Sequence, residues 1–322
     1  VRIDSNGSIL TATLGTDNVH LGEGAAASIA SGGNENILIG KNAGTALTTG
    51  DRNVAIGHTA FDSATDQQDN VAVGHNSLSS ITASGGTLCT AIGSKALESL
   101  TAGYHNTAVG YGSQDANTHG IRNVSMGRDS LGADTKGSYS VAIGDNALST
   151  QNFTSATDAY NTAVGADAGK SITTGTQSTI VGALAGDALT TGGLVAVGYA
   201  AGSAVETGVG NVFMGELAGT AVTSNNNTAV GSQALSTAVG GHSNACFGHD
   251  AGRTTTGSRN TCVGNDAGST SNSDDCTLIG SGAGSGATMT GHDNVIVGAS
   301  AGIAITSGAR NTLLGTAAGS NS

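Results

Sequence analysis

Three histidines raise the first question of chemistry. His58, His75 and His249 each follow directly on a glycine, in "IGHTA", "VGHNS" and "FGHDA". Imidazoles brought together by a repeat can hold a metal ion. The same position in related phrases carries Lys41, Tyr111, Arg128, Asp145 and Glu216. Such a mixture marks a variable solvent-facing column, and neither metal nor cofactor is expected. The four cysteines read as small buried residues: Cys246 and Cys262 occupy one repeated position, Cys89 and Cys276 another, and no C-x-x-C occurs. In-register neighbours on parallel strands rarely have disulfide geometry.

Other chemistries fare no better. Glycoside cleavage needs two carboxylates at a fixed separation; none of the 23 acids forms a marked pair, and aromatics, at 3 %, are too few for sugar platforms. The glycine-rich "GTAVTSNNNTAVG" lacks the Gly-Lys-Ser/Thr of a phosphate loop. Asp51, Asp66, Asp145, Asp187 and Asp250 recur too irregularly for a calcium roll. Threonine recurs in "ALTTG" (46–50) and "RTTTG" (253–257) but fails in "TSNSDD" (270–275), so a regular ice-binding array is not expected. No enzyme is expected.

The elements that carry these residues are repeats. A glycine marker ends a short apolar phrase, as in "DRNVAIG" and "AYNTAVG", from Gly22 to Gly315 in 18 copies. The span 315 − 22 = 293 over 17 steps gives about 17 residues per repeat. Such regularity is the signature of a solenoid. One residue before the marker is always apolar, and three before is β-branched except at Ala245. Two before is most often Ala; three after is always Ala or Ser; four after is mostly Gly or Leu. Period-two alternation with β-branched residues predicts a strand, and the Thr, Gly, Ser, Asn and Asp between copies predict turns.

The sequence therefore predicts an all-β fold, a parallel β-solenoid or β-roll of about 18 coils of ~17 residues, stacked at roughly 4.8 Å into a rod about 85 Å long. The bulky residues one and three before the marker are assigned to its core, facing the Ala or Ser three after. The opposite strand face, carrying Ala and other small residues, would then pack against another chain. Four before the marker is Asn in 13 copies: Asn18, Asn36, Asn53, Asn70, Asn106, Asn123, Asn161, Asn211, Asn227, Asn244, Asn260, Asn294 and Asn311. Stacked amides there would form a structural ladder at a corner.

Residues 1–17 alternate about an "SNG" turn and read as an N-terminal β-hairpin, a cap or junction, before one repeat domain over 18–322. With 53 Gly and no Pro or Trp, the chain suits a thin core rather than a thick globular one. A net charge of −12 disfavours nucleic acid, and no apolar run suggests membrane insertion. The insertion "STQNFTSATDAYN" (149–161) is expected to be an outward loop for lateral contact.

The phrases "NVAIGHTA" (53–60) and "SVAIGDNA" (140–147) resemble the head repeats of YadA-like trimeric autotransporter adhesins. The longer "NAGTALTTGDRNVAIG" (42–57) looks more like repeats of bacteriophage tail fibres. That resemblance implies a left-handed roll assembled as a homotrimer, extracellular, on a virion tail fibre or a cell surface. It implies a shaft or receptor-binding fibre for host attachment, with itself and a host surface glycan or protein as partners; a bacterial surface adhesin head is the alternative. Tail fibres often carry a C-terminal chaperone that trimerises the chain and cuts itself off. An end at Ser322 without one would suit a mature product.

Overall fold

The computed structural model describes residues 2–3, 9–10, 14–82, 88–286 and 288–320. Every repeat contributes one three-residue strand immediately before its marker glycine, and no helix occurs among the described residues. The chain divides into two compact units, Val1–Asn161 and Thr162–Ser322. In the first, eight such strands run from Val19–Leu21 to Val141–Ile143; in the second, ten run from Thr162–Val164 to Thr312–Leu314. Each strand is parallel and in register with its neighbours within a unit, as in Val54↔Val71, Ala55↔Ala72 and Ile56↔Val73. Each unit is thus a parallel β-solenoid.

Turn bonds repeat the same register. The Gly44 N–H donates to Ala60 O (2.9 Å), Thr48 N–H to Thr65 O (2.8 Å) and Val54 N–H to Asn70 O (2.8 Å). The marker glycines sit at φ between +117° and +141°, a region closed to L side chains. A Cβ on Gly57 would also overlap the carbonyl of Gly74 in the next coil. Both conditions explain why no other residue occupies the marker.

The core is the reverse of the sequence assignment. Leu38, Ala55, Ala72 and Ala91, two before the marker, are fully buried. The larger residues on either side point outward: Ile56 is 38 % exposed and Met126 47 %. The Ala or Ser three after the marker is buried, as assigned, but opposes the residue two before it. A further wall comes from residues seven after the marker, including Leu47, Ile81, Leu100, Ile172 and Leu189, all fully buried. Three walls this close leave no room for a second bulky column.

Volume is balanced within each coil. Where the residue two before the marker is a large hydrophobic one, the residue four after is Gly: Leu38/Gly44, Ile180/Gly186, Phe213/Gly219 and Ile296/Gly302. Where the first is small, the second is often large: Ala55/Phe61, Ala72/Leu78, Ala91/Leu97 and Ala142/Leu148. No coil has both large. A Cβ on Gly44 would come within 2.8 Å of Leu38, and one on Gly219 would overlap the Phe213 ring. The position four after the marker is left-handed whatever occupies it (Leu148 φ 51°, Gly219 φ 64°), so Gly is selected there for space as well as for φ. In the coil with Ala196/Gly202 both are small, and neighbouring side chains fill the space: a Cβ on Gly202 would lie 3.0 Å from the Phe213 ring and 3.4 Å from Leu194, which replaces the usual Asn.

The insertion 149–161 is not an outward loop. Gln151 is fully buried, Phe153 is 5 % exposed, and Thr157–Asp158 pairs in parallel with Gly137–Ser138; residues 154–156 are its one run of consecutive exposed residues, while Asn152, Asp158 and Tyr160 are exposed singly between buried neighbours or beside the strand. At the N-terminus, Arg2–Ile3 pairs antiparallel with Ile9–Leu10, while the "SNG" turn at 5–7 lies outside the described residues.

Candidate functional site

The outward sheet face is the most distinctive surface. It is built by strand alternation: with Ala inward, the residues one and three before each marker must face out. Within each unit they form two parallel columns of Val, Ile, Leu, Met, Phe and Thr, and no charged residue enters either column. Val19, Ile37, Ile92, Met214, Phe247, Ile279 and Val295 each keep 37–43 % of their surface exposed. A half-exposed, uncharged strip of this kind is a candidate interaction surface. The one small residue among the β-branched column, Ala245, shares its coil with the only Phe of the other column, Phe247. Volume balance of this kind is expected on a face that is packed, because solvent imposes no such constraint.

The Asn column lies inside, along one edge of the strands. Asn53 Oδ1 accepts the Asn70 N–H (3.0 Å), and its Nδ2 donates to Gln67 O (2.8 Å) in the following turn. The same pair of bonds recurs at Asn36 (to Asn53 N, 2.9 Å, and Gly50 O, 2.8 Å) and at Asn123 (to Ser140 N, 2.9 Å, and Gly137 O, 2.8 Å). It recurs again at Asn211, Asn244 and Asn260, while Asn106 also donates to Gly120 O (2.8 Å). Asn227 accepts the Asn244 N–H, Asn294 accepts the Asn311 N–H, and Asn161 donates to buried Gln151 (2.8 Å). These amides satisfy backbone groups that the strand ladder leaves off at the bend.

The remaining chemistry-bearing residues stay apart. His58 and His75 stack at 5.3 Å with an interplanar angle of 10°, an arrangement in which the ring nitrogens do not converge on one point. No cluster of three metal-ligating side chains occurs among the described residues. All four cysteines are buried and none is in a disulfide. Cys246 and Cys262 are register partners; the thiol–thiol hydrogen bond, followed by burial, holds the Cys246 thiol well above its ordinary range. Burial pushes Cys89 up to about 11. Several threonine hydroxyls of the turns bond neighbouring carbonyls: Thr48 to Thr65 O (2.8 Å), Thr118 to Thr135 O (2.9 Å).

One surface cluster escaped the sequence reading. At a coil corner in the first unit, the Arg122 guanidinium lies 5.7 Å from the Tyr104 ring and 5.4 Å from the Tyr139 ring. Its Nη1 donates to the Tyr139 hydroxyl (2.5 Å), and Tyr139 stacks on Tyr160 at 5.2 Å. His105 meets Tyr104 edge-on at 5.1 Å. The signal was present in sequence: His105, Arg122, Tyr139 and Tyr160 all lie five before a marker. Elsewhere this column carries ion pairs, Arg52 with Asp69 (2.6 Å) and Arg259 with Asp275 (2.6 Å). The hydrogen bond to Arg52 holds the Asp69 carboxyl below its ordinary range.

Compared with known proteins, the chain matches no family model and no curated protein.

Proposed function

We propose that this chain is a structural and adhesive fibre segment that works as a homotrimer, its outward sheet faces meeting along a common axis. The observation that carries this reading is the uncharged apolar strip of residues one and three before each marker. Its repeat matches the coil spacing, so a surface complementary over many coils must share that spacing, and a second copy of the chain does. Three copies rather than two follow the resemblance to phage tail fibre repeats and YadA-like adhesin heads. In such an assembly the narrow coil core and the axial core are separate: Ala, Leu, Ile and Phe fill the first, Val, Ile and Thr the second. The role is mechanical, a stiff extracellular shaft presenting contacts to a host surface, where three chains multiply weak affinities.

Native mass by light scattering tests it. Three times 30.9 kDa is expected, falling to one chain in Ile56→Glu/Val73→Glu, since two carboxylates would be buried unpaired at the axis. A wild-type mass of one chain refutes the trimer. A second reading then gains ground, because the strand threonines Thr90, Thr107, Thr162 and Thr179 face outward beside Val and Ile. A flat Thr/Val lattice at strand spacing is a surface for ordered water, and thermal hysteresis of the monomer would measure it.

A further inference from the structure

We propose that the Tyr104–Arg122–Tyr139–Tyr160 column is a binding platform for an acidic saccharide. The proposal deepens the adhesive part of the function above and rests on that part, while self-association is read separately.

Four observations converge. First, the chain has five Tyr and no Trp, and three of the five are gathered here within four successive coils. Most of the chain's few large aromatic phenols therefore meet at one corner. Second, the column is cationic in a chain of net charge −12. Lys41, Lys95 and Lys170, and the arginines at 52, 128, 253, 259 and 310, each have a carboxylate within ion-pair distance. Among the cations whose side chains are described, Arg122 and Lys136 have none, and Lys136 is three residues before Tyr139 in the same coil. Third, Arg122 is held without being used up. Two rings flank the guanidinium, and a single hydrogen bond, to the Tyr139 hydroxyl, engages it among the described residues. Of its five N–H donors, four remain for a ligand oxyanion. Fourth, the platform is off the apolar sheet face and open to solvent: Arg122 and Tyr160 are exposed, Tyr160 by 52 %.

The chemistry selects the ligand class. A carboxylate on a sugar matches a preoriented guanidinium, while ring hydroxyls and C–H edges match phenol rims and faces. An acidic peptide fits less well. The strands nearest the corner, Thr107–Val109 and Val124–Met126, are paired on both edges, so no free edge is left to receive an extended chain. Asp158 accepts from the Tyr160 hydroxyl at 3.4 Å and would limit how close a ligand carboxylate comes at that end, which places the charged group at Arg122.

Isothermal titration calorimetry of the whole chain with tetragalacturonate tests the proposal, with a neutral galactose tetrasaccharide and a tetraglutamate peptide as comparisons. Saturable binding of the uronate is expected, with Arg122→Gln and Tyr160→Ala each weakening it about tenfold or more. Arg52→Gln, which removes the same charge from the same column, should leave it unchanged. Light scattering on the same samples reports assembly, so loss of binding with an intact trimer and loss of the trimer are distinguished. No saturation by the uronate at millimolar concentration overturns the proposal. So does equal weakening by Arg52→Gln, or binding of the neutral sugar or the peptide as tight as that of the uronate.

Discussion

Replacing Gly219 by Leu probes the logic of the coil interior. A Cβ at Gly219 already overlaps the Phe213 ring, so the whole isobutyl group has no space while Phe213 is present. Overpacking costs about 1–3 kcal/mol, and a left-handed L residue where Gly stood adds about 1–2 kcal/mol. Phe213→Ala alone should cost about 3–5 kcal/mol, because the fully buried ring leaves a cavity opposite a glycine. Independent effects would sum to roughly 5–10 kcal/mol in the double variant. The double variant, however, recreates the Ala142/Leu148 pair, in which Leu148 is left-handed at φ 51° and both residues are fully buried. It should therefore lose only about 1–3 kcal/mol, mostly the left-handed backbone cost and imperfect repacking. The assay is a double-mutant cycle on urea unfolding, with amide exchange at Gly202 (bonded to Ala218 O, 2.8 Å) and Thr228 (bonded to Asn244 O, 2.8 Å) as local readouts. Local probes are needed because repeat arrays do not always unfold in one step. Additivity within about 0.5 kcal/mol would refute the volume-balance reasoning.

Further outcomes follow from the same geometry. Asn53→Ala strands the buried Asn70 N–H and Gln67 carbonyl, so stability should fall by about 2–5 kcal/mol and Asn70 amide protection should drop while that of Asn260 holds; unchanged exchange at Asn70 would contradict the ladder's role. Gly57→Ala meets both the φ +140° backbone and the Gly74 carbonyl and should be among the most damaging single-methyl additions in the chain, measured as loss of folded yield. For Cys89 the folded thiol titrates near 11 against a reference of 9.0. Its folded value is raised, so stability is complete below pH 9 and declines as pH rises toward 11, by about 3 kcal/mol in all; Cys89→Ser should flatten that part of the pH profile. All four thiols should resist alkylation at pH 8 until the chain unfolds, and rapid labelling of the native protein would contradict their burial.

Much of the fold was legible because the repeat repeats its constraints. The marker glycine, the β-branched flanks and the turn-forming remainder located each strand just before its marker, as at Val54–Ile56 and Thr107–Val109, where three residues form it rather than the roughly five that the alternation fits. The direction of the faces was not legible from alternation alone. Alternation shows that Val54 and Ile56 share a side; it does not show which side is inside when both can be covered. Hydrophobicity then misleads, because the strip is apolar although it lies outside the coil core. The deciding signal was the reciprocal sizes of Leu38/Gly44 and Ala72/Leu78, a correlation between columns rather than a property of one. The insertion 149–161 was misplaced because its polar composition suggested a loop. Buried Asp134, Gln151 and Ser140 instead form a bonded polar interior (Gln151 Nε2 to Asp134 Oδ2, 2.6 Å, and to Ser140 Oγ, 3.1 Å) that receives it. The tyrosine–arginine corner was missed because its members are single residues spread over consecutive coils.

The Asn ladder also bears on how such a stack carries load. Its amide bonds run from coil to coil, in the same direction as the strand and turn bonds. At the boundary that Asn53 bridges, a pull along the stacking direction strains them together with the Val54, Gly44 and Thr48 bonds. No single bond can yield first and pass the load to the next, as it would in a hairpin opened from one end. Rupture within a unit therefore requires a whole boundary to fail at once. The resistance of a boundary is set by the bonds it contains and not by how many coils lie on either side, so added coils extend reach without weakening the stack.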